Sequence, residues 1–326
     1  MDKVLVTGGT GFIGSNLAIA LRNRGYDVRV FRRPHSDLRA IGNADVEHSL
    51  GDIRDFEAVS KATKGCDTVF HTAAVISHWR KERSLMFDVN IGGTANVVKS
   101  CLETGARLVY TSSIAAIGYE PDGRPSTEET HFNWGPFNIG YRMSKFRAEQ
   151  EVHRGIKLGL SAVVLNPATV IGPRDIHFHG GQIIRDVYRK KIFYSTQGGM
   201  NIVFVRDVVE GHLAGARQGR PGERYILCGE NLAIHDVFKI TAEVVGGIKP
   251  SFKLPTWTAK VVAATAETIG SALGIKPWVS RELVAGMEIQ NWYSCEKARR
   301  ELGYRITPFR QAVEESFAWY RKNGFL

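Results

Sequence analysis

The feature that most limits how this chain can fold is an alternation. Short valine-rich runs take turns with helical segments over its first half. The runs are VLVTG (4–8), DVRVFRR (27–33), VEHSLGD (46–52), TVFHTAA (68–74), RLVYTSS (107–113) and SAVVLNP (161–167). Between them lie FIGSNLAIALRNRG (12–25), a helix from about Asp55, one running through NIGGTANVVKSCLETG, and YRMSKFRAEQEVHRGIKLG (141–159). Strands this short and this apolar have no wet face, so helices must cover both sides of the sheet. The pattern predicts an α/β fold with a doubly wound parallel sheet. After Pro167 the rhythm breaks: loops lengthen, and aromatic and glycine residues cluster in HFHGG and TQGGM. We therefore expect residues 1–166 to form a dinucleotide-binding domain and 167–326 mostly a smaller C-terminal substrate lobe. Segments near 200–228, with strand signals NIVFV and RYILC, return to the first domain.

Composition narrows the class. The chain has 326 residues, 43% hydrophobic and 23% charged, as expected of a globular protein with a large core. Its net charge of +10 suits an anionic partner. No zinc-finger spacing and no basic run with interleaved aromatics is present, so nucleic acid is not expected. Cys66, Cys101, Cys228 and Cys295 are scattered without metal or disulfide spacing, which fits a reducing cytoplasm. A strand starting at Val4 leaves no room for a signal peptide, and no apolar run reaches the length of a bilayer span. The stretch 255–274, rich in small apolar residues, reads as a packed helix, a lid or a membrane-surface patch. Peripheral membrane contact through it stays open, as does a homodimer.

The first strand runs straight into a glycine turn. Gly8, Gly11 and Gly14 follow VLVT and open a helix, the context in which a glycine-rich turn admits a pyrophosphate to backbone N–H groups. The second strand ends in Phe31, Arg32 and Arg33, where an acidic residue would instead favour a free ribose 2′-hydroxyl. Arginine pairs well with phosphate, so the expected cofactor is NADP.

The motifs VTGGTGFIG, GDIRD (51–55), HTAA (71–74), VYTSS (109–113), YRMSK (141–145), LNPATVIGP (165–173) and FVRDVVEGH (204–212) occur in an order that resembles the extended short-chain dehydrogenase/reductases, the NAD-dependent epimerase/dehydratase family. The blocks VRVFRRPHSD and NPATVIGPRD also resemble hopanoid-associated sugar epimerases, and the chain as a whole is most similar to dihydroflavonol-4-reductase-like proteins. The resemblance implies a Rossmann fold and a catalytic set of Ser113, Tyr141 and Lys145, with Ser113 preferred to Ser112. It implies cofactor contacts from Gly8, Thr10, Gly11, Phe12, Ile13 and Gly14, with Asp52 and Ile53 at the adenine. Thr72, Ala73 and Ala74 would line the cofactor, and Pro167, with Tyr141 and Lys145, would sit near the nicotinamide. Asn90 would fix backbone or water near the site, or serve in capping or packing. No metal is expected. The chemistry of YRMSK stands by itself as well. Tyr141 and Lys145 share a helix face, and an ammonium beside a phenol lowers its pKa and suits it to proton transfer.

The family contains reductases, epimerases and dehydratases, so the reaction must come from particular residues. Ala115 stands where sugar-nucleotide epimerases usually have threonine, and Ile114–Ala115 where dehydratases tend to have Asp-Glu. Met200 stands where many nucleotide-sugar members place an arginine, although Arg174, Arg185, Arg189 and Lys190 lie in the same lobe. Trp79, Phe132, Trp134, Phe137, Phe178 and Trp257 are candidate pocket walls, each also a candidate for the core. His78, His177 and His179 are candidate substrate ligands. The expected function is an NADP-dependent reductase of a ketone or aldehyde on a moderately apolar small molecule. The alternatives are an epimerase or dehydratase of a sugar or nucleotide sugar, and a non-catalytic NADP-sensing interaction protein.

Overall fold

The valine-rich runs become a seven-stranded parallel sheet in a computed structural model that describes residues 2–326. In chain order the first part is β1 (Lys3–Thr7), α1 (Phe12–Arg22), β2 (Asp27–Arg32), β3 (Glu47–Leu50), α2 (Phe56–Thr63), β4 (Thr68–His71), α3 (Arg83–Phe87), α4 (Gly93–Thr104) and β5 (Arg107–Thr111). It continues through α5 (Gly140–Lys157), β6 (Ala162–Pro167), β7 (Thr169–Ile171), α6 (Gln182–Tyr188), β8 (Gly199–Phe204), α7 (Val205–Gln218), β9 (Arg224–Leu227) and β10 (Glu230–Ala233). Helices α8 (Ile234–Val245), α9 (Thr256–Leu273), α10 (Arg281–Val284), α11 (Glu296–Leu302) and α12 (Phe309–Lys322) complete it. The sheet order is β3-β2-β1-β4-β5-β6-β9. The chain therefore winds outward from β1 in one direction and then in the other, as in a doubly wound Rossmann sheet. Such a sheet leaves a crevice beyond the C-terminal ends of β1 and β4.

Side-chain alternation builds a core on each face. Val4 and Val6 of β1 join one apolar cluster with Leu17 and Leu21 of α1, while Leu5 joins another with Val97 of α4 and Val152 of α5. Strands β5 and β6 split in the same way: Val109, Val163 and Leu165 face α1 and α7, and Leu108, Tyr110 and Val164 face α4 and α5. Each fully buried valine or leucine stabilises by about 1.5–3 kcal/mol relative to exposure.

The smaller lobe has its own three-stranded sheet, β10-β8-β7. Ile171, Phe204, Val237, Val313 and Tyr320 form its core. Of the segment near 200–228, β9 pairs with β6 in the large sheet and α7 packs beside α1. Strand β8 stays in the small sheet, paired with β7 and β10.

Helix α9 lies on the outside, with only Ala263, Glu267 and Gly270 buried. Its outer face and the loop that follows expose Trp257 (66%), Leu273 (66%) and Trp278 (76%). Trp257 is thus neither core nor cleft wall. Among the described residues no helix is long and apolar enough to cross a membrane.

Candidate active site

The crevice at the sheet's switch point is a cleft of about 870 Å³. Its floor is the turn after β1. Gly8 has φ +68°, and a Cβ there would lie 2.7 Å from the Cα of Ala73. A Cβ on Gly14 would lie 2.3 Å from the Gly8 carbonyl oxygen and 2.6 Å from Thr72 Oγ1. These approaches bring β1, α1 and the end of β4 close enough to form a backbone cradle. No side chain caps α1 at Gly11, and first-turn N–H groups have no partner within a helix. A cradle of this kind fits a pyrophosphate.

Ser113, Tyr141 and Lys145 meet on one wall of the cleft. Tyr141 lies in the first turn of α5, and Ser113 follows β5 as the cap of a short 3-10 turn, its hydroxyl accepting from Ala115 N at 3.1 Å. Burial pushes the Tyr141 phenol upward, while a hydrogen bond from Ser113 and the charge of Arg142 act in the opposite sense. This corrects the expectation that Lys145 leaves the phenol with a low pKa. Lys145 Nζ donates instead to Tyr110 Oη at 3.1 Å and to the Thr111 carbonyl at 2.9 Å. Burial lowers the Lys145 ammonium to about 8, against the opposing charge of Glu149.

Behind these residues lies Glu149, one turn beyond Lys145 on α5, whose carboxylate is 2% exposed. It accepts from Ser112 Oγ at 2.6 Å and Asn166 Nδ2 at 3.0 Å, and pairs with Arg224 at 3.3 Å. The Ser112 hydroxyl is thereby committed to Glu149, and Ser113 is the serine whose hydroxyl meets Tyr141. Burial alone would raise the Glu149 carboxyl, but bonds from His153, Ser112 and Asn166 and the charge of Arg224 hold it below its ordinary value. Asn90 is a backbone clamp. It accepts from Val75 N at 2.8 Å, and donates to Val75 O and Ser144 Oγ, both at 2.9 Å.

The other expected residues divide. Gly8, Gly11, Phe12, Ile13 and Gly14 line the cleft, and so do Thr72, Ala74 and Pro167. Thr10 and Ala73 belong to the same two turns but do not line it. Neither do Arg32, Arg33, Asp52 and Ile53, which lie beyond it around the ends of β2 and β3. The Arg32 guanidinium donates to the carbonyls of Arg33 and Pro34 and to His48, whereas Arg33 is exposed. The Asp52 carboxylate is held by Arg54 at 2.7 Å, and the Ile53 side chain packs against Gly93.

Of the aromatic candidates, Trp79 and Phe178 line the cleft. Trp134 is core, donating to the Ile117 carbonyl at 3.1 Å, and Phe137 packs on it. Phe132 stacks on Phe146 elsewhere. His78, His177 and His179 all line the cleft. Among the described residues no group of three or more His, Cys, Asp or Glu could hold a metal ion. Met200 packs into the small-lobe core instead of the cleft, and Arg174, Arg185, Arg189 and Lys190 do not line it either. The cations that do are Arg142, Lys145 and Lys276.

Reading the sequence missed three features. Glu149 was visible as a second i, i+4 step from Lys145, but nothing marked it as buried. Arg142 sat inside the quoted YRMSK without an assigned partner. The loop 276–280, which follows α9 and lines the cleft, carries no motif.

Comparison with known proteins agrees with the fold. Residues 4–228 match the model of the NAD dependent epimerase/dehydratase family. A Synechocystis protein named "Putative dihydroflavonol 4-reductase" is 33% identical, over 100% of this chain and 96% of its own. Sterol demethylase protein B of Methylococcus capsulatus is 31% identical, over 99% of both chains. Among solved structures, gox2253 is 38% identical with a TM-score of 0.87, over 99% of both chains.

Proposed function

Because the chain belongs to the NAD dependent epimerase/dehydratase family, whose members bind NAD(P), we propose that it is an NADPH-dependent reductase of a ketone or aldehyde on a moderately apolar small molecule. The observation that carries this reading is geometric: Ser113, Tyr141 and Lys145 line the same cleft as the glycine turn of Gly8, Gly11 and Gly14. A phenol, with an ordinary pKa of about 10, holds a proton at neutral pH that it can donate to a carbonyl oxygen. A nicotinamide bound in the cleft would supply the hydride for the reduction. Ser113 holds the carbonyl oxygen, and Tyr141 passes its proton to that oxygen as the negative charge develops. The Lys145 ammonium, held by Tyr110 and the Thr111 carbonyl, would bond the nicotinamide ribose. Glu149 acts on Lys145 by charge and engages the Ser112 hydroxyl, so it acts as a positioning residue.

Gly8, Gly11 and Gly14 would hold the pyrophosphate, and Arg33, exposed at the end of β2, would meet a 2′-phosphate. The similarity to a protein named for dihydroflavonol 4-reductase supports reduction of an apolar carbonyl compound. The second reading is an epimerase or dehydratase of a nucleotide sugar, favoured by one observation: a cation, Arg142, on the cleft wall. The test is NADPH consumption against a panel of apolar ketones and aldehydes and of nucleotide sugars. Steady oxidation with an apolar carbonyl compound is expected. Conversion of a nucleotide sugar without net cofactor oxidation, and no turnover of the panel's ketones, would replace the reductase by the second reading.

A further inference from the structure

Seven buried side-chain nitrogens and oxygens among the described residues have no hydrogen-bond partner, and three of them belong to residues that line the cleft: His78 Nδ1, Trp79 Nε1 and Arg142 Nη1. We propose that these three nitrogens form an anion subsite and that the substrate carries a carboxylate close to its reacting carbonyl. The carbonyl half of this proposal rests on the reductase reading; the anion half rests on geometry alone.

Arg142 follows Tyr141 at the start of α5, and both side chains line the cleft. The guanidinium carbon lies 3.6 Å from the centre of the Trp134 ring. Its Nη2 donates to Asn291 Oδ1 at 3.1 Å, and the Tyr293 phenol is a further neighbour. No aspartate or glutamate among the described residues pairs with it. Glu282, on the same wall, gives one carboxylate oxygen to Gly140 N at 2.8 Å, and the other lies 3.7 Å from Arg83. Lys276, at the cleft mouth, pairs with Glu82 at 2.7 Å. Arg142 is therefore the wall cation whose charge the protein leaves unanswered.

A buried N–H without a partner costs stability, and more so on a charged group. Three such costs meeting at one cleft are offset when a ligand brings acceptors. Arginine and tryptophan donate only, so the ligand group must accept. His78 stands edge-on to Tyr141, ring centres 6.2 Å apart, which places the subsite next to the reacting centre. Burial first, then the charges of Arg142 and Lys276, lowers the His78 pKa, so it meets the ligand as a neutral imidazole. One free guanidinium nitrogen, with Trp134 against one face and Asn291 on the neighbouring nitrogen, suits one small anion. A diphosphate would bring more charge than this site answers and would face Glu282.

The probes are 3-oxodecanoate, its methyl ester, decanoate and UDP. With NADPH saturating, the acid should show a KM at least tenfold below that of the ester. R142Q should remove most of that preference, and W79F, which keeps an aromatic side chain but loses the indole N–H, should reduce it. NADPH binding by each variant establishes that it is folded. An acid-to-ester KM ratio near one in the unmodified protein, or one unchanged by both substitutions, overturns the subsite while ketone turnover leaves the reductase reading in place. Should neither ketone turn over, calorimetry with decanoate on the NADP-saturated protein separates the two ideas. Binding that R142Q weakens tenfold supports the subsite and counts against the reductase, and no binding removes the subsite. Tight UDP binding lost in R142Q would make the anion a diphosphate and overturn the carboxylate.

Discussion

At the scale of single residues, the site is governed by what burial does to two titrating groups. The Tyr141 phenol is raised, so at neutral pH it keeps its proton for donation. Tyr141→Phe removes that proton and keeps the ring, so folding and cofactor affinity should survive. Turnover should fall by about 10² or more, the scale of general acid catalysis. Turnover within threefold of the unmodified protein would take the acid's role away from Tyr141. Burial works the other way on Lys145 and lowers its ammonium to about 8, with Glu149 opposing the shift. The ammonium is therefore full below pH 7 and lost as pH rises through about 8, well before an ordinary lysine would titrate. Since kcat/KM reports free-enzyme ionisations, kcat/KM for NADPH should be level up to about pH 7 and fall above 8. A profile flat to pH 10 would mean that the charge on Lys145 is not needed.

At the scale of elements, α5 carries the proposed acid and its supports because their positions fall one turn apart: Tyr141, Lys145 and Glu149. Glu149 joins α5 to β6 through Asn166 and to β9 through Arg224. Removing one partner of a buried ion pair typically costs about 3–5 kcal/mol. Glu149→Ala should lose stability on that scale in denaturant unfolding, and a loss under about 1 kcal/mol would show that the network is not a strut. Because the folded Glu149 pKa is depressed, its stabilisation is present above the ordinary carboxyl pKa. It is lost as pH falls through the folded value, so the variant's deficit should shrink in acid. In the proposed function the end of β2 sets the choice of cofactor. NADPH should bind at least tenfold tighter than NADH, about 1.4 kcal/mol, and Arg33→Asp should erase most of that gap. Equal affinity in the unmodified protein would remove the 2′-phosphate assignment.

Much of this was legible from the sequence. A glycine turn between a strand and a helix admits few geometries, and valine-rich strands cannot face water, so the sheet and the cradle could be read directly. What could not be read depended on distant partners. Lys145 turns to Tyr110 and Thr111 because β5 passes beneath α5. Met200 lies in the small-lobe core because β8 pairs with β10. Arg142 lacks a counter-charge only because no carboxylate folds against it. None of these follows from local pattern.

At the scale of the whole molecule, the cleft is a seam. The cradle, Ser113 and Pro167 belong to the large sheet, whereas Val170, Phe178 and Gln182 come from the small lobe and Trp278 from the loop after α9. A cofactor lying in this seam binds a surface that exists only when both lobes are folded, so its binding free energy adds to the stability of the native chain. At a free concentration one hundred times Kd that addition is about 2.7 kcal/mol. An unfolding entropy of about 2.1 cal/mol/K per residue, over 326 residues, converts it to a rise in melting temperature of roughly 4 °C. At that same concentration NADH, bound tenfold more weakly, should give about 1.4 kcal/mol, and so roughly 2 °C. The ordering depends on Arg33 and not on the cradle, which both cofactors share. Arg33→Asp should therefore bring the two shifts together without abolishing them. Gly14→Ala, whose methyl group would meet the Gly8 carbonyl at 2.3 Å, should remove both. Thermal melts of the three proteins with each cofactor separate these outcomes. Equal shifts in the unmodified protein would refute the role of β2, and full shifts in Gly14→Ala would refute the cradle.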